Sequence, residues 1–153
     1  MNSRGRSGTI ALSSVFCTGQ LAGMMLAIAI AQAAAQHLPE ESWTLRQQAD
    51  DSVFSKLMPV IFLLNILTLG ASFSASRKRS RLYFGAAAAF LVGSIVDTIV
   101  LNVPINVKIS TWKAGSAPAD WTAERDKWLE AHWIRTVTGT ASFLCAGLGC
   151  IAS

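Results

Sequence analysis

Charge is what this chain has least of. Asp, Glu, Lys and Arg make up 14% of its 153 residues against 52% apolar, too few charges to cover a water-soluble globule. Other absences exclude whole classes of function. There is no phosphate-cradling glycine loop and no dinucleotide fingerprint. Only one histidine, His132, stands in a suitable place, which is too little for a zinc or haem signature, and neither a metal nor a cofactor is expected. Cys17, Cys145 and Cys150 all fall in apolar stretches, without metal-ligand spacing and outside any loop that a disulfide would staple. They read as small buried hydrophobes. No stretch alternates with the period of two that a membrane β-barrel needs.

What is present is a set of long apolar runs, at about 9–36, 53–76, 82–103 and 131–152. The first has no charge, the second has Lys56 near its start, the third contains Asp97 and the fourth Arg135. Roughly 20 mostly apolar residues suffice to span the hydrocarbon layer as a helix, and in lipid only helices and closed barrels satisfy their own backbone. The expected fold is all-α: a single transmembrane four-helix bundle with an external amphipathic segment before the last helix. Arg4 and Arg6 ahead of the first run, and the small residues at Ala31 to Ala35, resemble a secretory signal. The run exceeds the roughly 7–15 apolar residues of such a signal, so it is read as a retained helix. The short link carrying Arg77, Lys78, Arg79 and Arg81 is purely basic, whereas the other two links hold every acidic residue except Asp97. Basic residues favour the cytoplasmic side, which predicts both termini inside. The net charge of +4 is thereby a topology signal and implies no nucleic-acid partner.

Small residues at intervals of four mark expected helix contacts: Gly19, Gly23, Ala27, Ala31 and Ala35; Gly85, Ala89 and Gly93, continuing to Asp97; and Ala141, Cys145 and Gly149. Charges within a span are costly and usually face the bundle in pairs. Asp97 and Arg135 are therefore expected to face each other, either as a structural salt bridge or beside a polar cavity open to the outer face.

The stretch 102–135 carries the clearest pattern. Asn102 and Asn106 flank Pro104, which caps or kinks the third helix or presents the two amides to a ligand. Trp121, Arg125, Trp128, His132 and Arg135 then follow at steps of 4, 3, 4 and 3, on one helical face. A stripe of two arginines and a histidine does not suit plain lipid; it faces protein, water, headgroups or a ligand. Trp43, Trp112 and Trp133 suit an interfacial aromatic belt. Gln47 and Asp51, one turn apart before the second span, can cover the same outer cavity, and His37 reads as a loop residue.

The residues Asn102, Pro104, Asn106, Trp112, Trp121, Arg125, Trp128, His132 and Arg135 form a pattern that resembles the anthrone oxygenase-like family of small four-helix membrane proteins. The resemblance is strongest in the second half of the chain. It implies a cofactor-independent oxygenase acting on a flat, acidic phenolic substrate and O2 near the membrane surface. In that reading His132 is the base, Arg135 and Arg125 stabilise enolate and peroxide charge, Asn102 and Asn106 orient the substrate, and Trp128 stacks on its rings. Trp112, Trp121, Asp97, Asp51 and Gln47 complete the expected substrate-binding surface. The alternative is a non-catalytic membrane subunit or small-ligand binder, self-associating or bound to a larger complex, for which a closed outer end without a cavity beside His132 is the signature. Proton or ion movement ranks last, because two charges near one side make no relay across the bilayer.

Overall fold

The computed structural model describes residues 3–153, with side chains from residue 7 onward; Arg4 and Arg6 thus lie outside the described side chains. Five α-helices follow one another: α1 (Ser3–Ala34), α2 (Glu40–Ala75), α3 (Lys78–Asp97), α4 (Val103–Ser110) and α5 (Trp121–Ile151). A 3-10 turn, Ala35–His37, ends α1, and a π-helical turn, Thr98–Asn102, joins α3 to α4 without a break. The described residues contain no strand. Four helical segments, at 7–37, 40–75, 78–110 and 121–151, are each long and apolar enough to cross a membrane. This is the architecture of a multi-pass membrane protein.

The chain turns sharply between helices for local reasons. Pro39 sits at the N-cap of α2 and Glu40 and Glu41 fill its first turn, where negative charge complements the helix dipole. At the other end of α2, the Phe73 carbonyl accepts from the Ser76 N–H at 3.4 Å and from Arg81 Nε at 3.2 Å, so a side chain of α3 reinforces the cap of the preceding helix. The longer link, 111–120, contains Gly115 at φ +78°, a left-handed conformation that glycine adopts at little cost. Around the bundle, α5 packs along α1 and α3, and α2 closes the ring against α1 and α3.

Pro104 does not end its helix. The π turn widens the backbone just before it, and Val103 N–H reaches back five residues to the Thr98 carbonyl. Widening gives the ring room that an unbroken α-helix would deny it. The same turn carries Asn102 inward, where it is fully buried.

Two of the expected contact rows are out of register. Gly23 and Ala27 on α1, and Ala89 and Gly93 on α3, are exposed. The buried line of α1 is instead Ser14, Thr18, Ala22, Met25, Ala29 and Gln32; that of α3 is Ser80, Phe84, Ala87, Leu91, Ser94 and Asp97. Polar side chains explain the rotation, because a hydroxyl or amide in hydrocarbon needs a partner. Ser14 and Ser72 lie 3.0 Å apart, and Ser142 donates to the Ala87 carbonyl at 2.8 Å. The α5 row fares better: Gly149 is buried, and a Cβ there would come within 3.0 Å of the Phe84 ring. The amphipathic stretch expected before the last helix is no separate element, since residues 121–130 form the first turns of α5.

Candidate functional site

At the end of the bundle that carries the 38–39 and 111–120 links, the four crossings part around a cavity of about 560 Å³. Its walls are largely apolar, with Met25 and Ile28 from α1, Met58 and Phe62 from α2, and Ile95 and Ile99 from α3 and the π turn. Its polar lining is confined to the end nearest those links, where Gln32, Gln47, Asp51, Asn106, His132 and Arg135 converge.

Asn106 is the hub. It donates to Asp51 Oδ1 at 2.6 Å, and its own oxygen accepts from Trp128 Nε1 at 2.6 Å and from Gln47 Nε2 at 3.3 Å. Gln47 in turn accepts from Gln32 Nε2 at 2.8 Å. One amide network thereby ties α1, α2, α4 and α5 together. Asn102 extends it by donating to the Trp128 carbonyl at 3.2 Å. Two acceptors of this network remain without partners, Gln32 Oε1 and Asn102 Oδ1, and among the described residues Asp51 is hydrogen-bonded through Oδ1 and not through Oδ2.

The stripe on α5 faces protein, as its spacing predicts: Trp128, His132 and Arg135 are buried. The indole of Trp128 stacks on the His132 ring, with centroids 4.9 Å apart and planes 12° from parallel. The Arg135 guanidinium carbon lies 5.6 Å from the Trp128 ring centroid. Both nitrogens of His132 are engaged. Nε2 lies 2.9 Å from the Met25 carbonyl, an acceptor only, so Nε2 carries the hydrogen. Nδ1 receives Arg135 Nε at 2.8 Å and Arg135 Nη2 as well, so Nδ1 is bare. These partners fix a neutral imidazole in a single tautomer, leaving Arg135 Nη1 without a hydrogen bond.

The remaining expected site residues lie elsewhere. Asp97 is buried on the inner face of α3 with Oδ2 unpartnered; it lies near enough to Arg135 for the two charges to attract, but among the described residues it forms no salt bridge with it, and it does not line the cavity. Arg135 spends two donors on His132 three residues away in its own helix, which shorter reach favours. Arg125 also stands apart: it donates to the Gln36 carbonyl at 2.7 Å, pairs with Asp126 at 2.9 Å and covers the Trp121 ring. Trp112 and Trp121 pack on Trp43, at centroid distances of 6.5 and 5.8 Å, and form a cap between the cavity and the links. Gln48 fastens that cap by donating to the Ile109 and Trp112 carbonyls, both at 2.9 Å. Lys108 and Glu124, 2.9 Å apart, join α4 to α5 outside the cavity.

The sequence reading overlooked Gln32 and the apolar walls. Gln32 had a visible signal, as one of the few amides in a charge-free run. Residues such as Phe54 and Met58 had none, because apolar residues in a span look alike whether they face lipid or a cavity. Among the described residues, no group of three or more His, Cys, Asp or Glu side chains is gathered closely enough to hold a metal ion.

The family described as anthrone oxygenase matches residues 51–145, more than half of the chain, beginning at Asp51 and including Asn106, Trp128, His132 and Arg135. No curated protein and no solved structure matches the chain.

Proposed function

From the premise that the chain belongs to the anthrone oxygenase family, we propose that the cavity oxidises an anthrone-like phenolic substrate with O2 and no resident cofactor. The observation that carries this reading is the cavity itself: an apolar chamber closed at one end by a carboxylate, amides and a guanidinium. Anthrone-type carbons are acidic, because the carbanion left by proton loss delocalises into the carbonyl and rings. Such an electron-rich anion reacts with O2 directly, so the protein need supply only a base, an oxyanion partner and a dry site.

Asp51 is the base in this proposal, through its free Oδ2. His132 is a weaker choice because neither ring nitrogen is available; it holds Arg135 in place. Arg135 Nη1 takes the carbonyl oxygen as it becomes an enolate, which makes the C–H across the central ring, conjugated with that carbonyl through the flanking rings, easier to break. A carboxylate paired with an oxyanion donor is a known solution for proton removal next to a carbonyl. The enolate passes one electron to O2, and the resulting radicals combine into a carbon-bound peroxide anion, which takes a proton. Loss of the second hydrogen from the same carbon, as a proton, cleaves the O–O bond. The carbon keeps one oxygen as a ketone and the other leaves as water. The sum is one substrate CH2 and one O2 giving one C=O and one H2O. Asn106 and Trp128 hold Asp51 and the substrate rings in register.

The polar end faces the exoplasmic side in this reading, with Arg77, Lys78, Arg79 and Arg81 held in the cytoplasm. The test uses the full chain in lipid nanodiscs with anthrone, following quinone absorbance and O2 uptake together. Wild type should consume one O2 per quinone. Asp51→Asn, which preserves shape but cannot accept the proton, should lower kcat by about 100-fold or more. Turnover no faster than in empty nanodiscs defeats the oxygenase reading, and an unaffected Asp51→Asn variant defeats the assignment of the base.

A further inference from the structure

The cavity is walled on three sides and open on the fourth. Toward α1 and α5 it is sealed, with Met25 and His132 fully buried. At the link end it is capped by the tryptophan cluster and by the bonds from Gln48 and Asn106. At the opposite end α2 settles onto α3, where a Cβ on Gly85 would touch Phe73 at 3.4 Å. Between these closures α2 and the π turn stand apart.

The rims of the opening belong to the cavity lining and to the outer surface at once. Pro59, Leu63 and Ile66 form one rim on α2, and Ile99, Val103 and Val107 form the other along the π turn and α4. Leu63 is 55% exposed and Ile99 61%. From Ser55 to Ile66 the α2 rim runs for roughly 16 Å at 1.5 Å per residue. Each rim also carries a helix irregularity. Pro59 removes a backbone donor within α2, and on the facing helix the π turn shifts the backbone bonding by one residue just before Pro104. The opening lies within the stretches apolar enough to span a membrane, so it faces acyl chains.

We propose that this side window is the entrance to the cavity, and that it admits flat, uncharged, apolar molecules directly from the acyl-chain layer. The rims carry no charge, so a molecule dissolved among acyl chains crosses them without acquiring or losing a polar contact. A water-borne charged molecule would have to shed its hydration first. Polar recognition begins only past the rims, at the amide and carboxylate end. The proposal rests on the reading of the cavity as a substrate site but not on the oxidation chemistry.

Anthracene separates the two, since it is flat, neutral and fluorescent and lacks the acidic CH2 of an anthrone. Its association with the full chain in nanodiscs can be followed by energy transfer from the tryptophans. The double substitution Ile99→Phe with Val103→Phe should plug the window and slow association about tenfold, with dissociation slowed as well. Leu63→Phe on the facing rim should slow association in the same direction, and it decides the matter if the double variant fails to fold. Leu144→Phe, at a lipid-facing position on α5 that is 59% exposed, should bind at the wild-type rate. Anthraquinone-2-sulfonate, which stays in water, should associate far more slowly than anthracene. The window is refuted if the rim variants bind anthracene at the wild-type rate or no more slowly than Leu144→Phe does. It is equally refuted if the sulfonate enters as fast as anthracene, or if wild type shows no saturable anthracene binding. A chain that binds anthracene through the window yet leaves anthrone unoxidised would refute the oxygenase reading alone.

Discussion

The two ends of the bundle are built from the same four crossings but solve opposite problems. At the end bearing the 76–77 link, helices touch through small groups: Ser14 against Ser72, Ser142 against the Ala87 backbone, Gly149 beneath Phe84. At the other end, Gln32, Gln47, Asn106 and Trp128 meet through their side-chain tips. Short side chains let backbones approach and leave no space. Long polar ones hold the helices apart and still satisfy each other, so a chamber survives between them. In lipid, where burial of apolar surface offers little drive for helices to associate, side-chain length and hydrogen-bonding capacity decide where a bundle is solid and where it is hollow.

That contrast can be broken at either end. The largest effect is expected at the hub of the hollow end. Asn106→Leu strands the Trp128 N–H and the Asp51 carboxylate together, and should lower anthrone turnover about 100-fold while costing about 1–3 kcal/mol of stability. Turnover in nanodiscs and the thermal midpoint in detergent report the two parts. Next comes the solid end. Gly149→Leu has to displace the Phe84 ring and should cost about 1–3 kcal/mol by overpacking, read as a lower thermal midpoint with anthracene affinity unchanged. A fall in affinity there would mean the two ends are coupled. A smaller effect is expected from His132→Phe, which keeps a ring stacked on Trp128 but removes the acceptor that orients Arg135. Turnover should drop about tenfold, while the shape of the pH–rate profile stays as in wild type. Disappearance of a titration limb in that variant would make the imidazole the base and displace Asp51. The smallest change is Ser14→Ala, which deletes one interhelical hydrogen bond and should cost about 0.6 kcal/mol in the same melting experiment.

Much of the polar end could be anticipated from spacing. Trp128, His132 and Arg135 lie inward because steps of 3 and 4 put them on one face, and no other exposure suits an arginine at that depth. Gln47 and Asp51 join Asn106 as their spacing and position suggested. Spacing failed where two readings shared a period. On α1 and α3 the glycine and alanine rows and the serine, threonine and glutamine rows both repeat every three to four residues. The polar rows hold the interior because hydroxyls and amides must be paired there, whereas a glycine or alanine can face lipid at little cost. Asp97 and Arg135, matched by depth and charge, do act on each other electrostatically, yet among the described residues no salt bridge forms between them. Depth along an axis says nothing of the direction in which a long side chain turns, and His132 lies within reach on the same helix. Arg125 shares the stripe's period but diverges from its target for the same reason, capping the Gln36 carbonyl.

By itself the sequence determined four apolar crossings and the polar edge of the last helix. Both are properties of one segment at a time, set by hydropathy and by a period of 3.6 residues. Only the tertiary structure decided that His132 is spoken for on both nitrogens, that Asp51 keeps a free oxygen, and that the chamber opens sideways past Leu63 and Ile99. Those facts depend on distances between segments up to 107 residues apart in the chain, such as His132 and Met25, and on where the π turn rotates the backbone before Pro104. No local pattern encodes such distances, because they arise from how four helices divide the available partners among themselves.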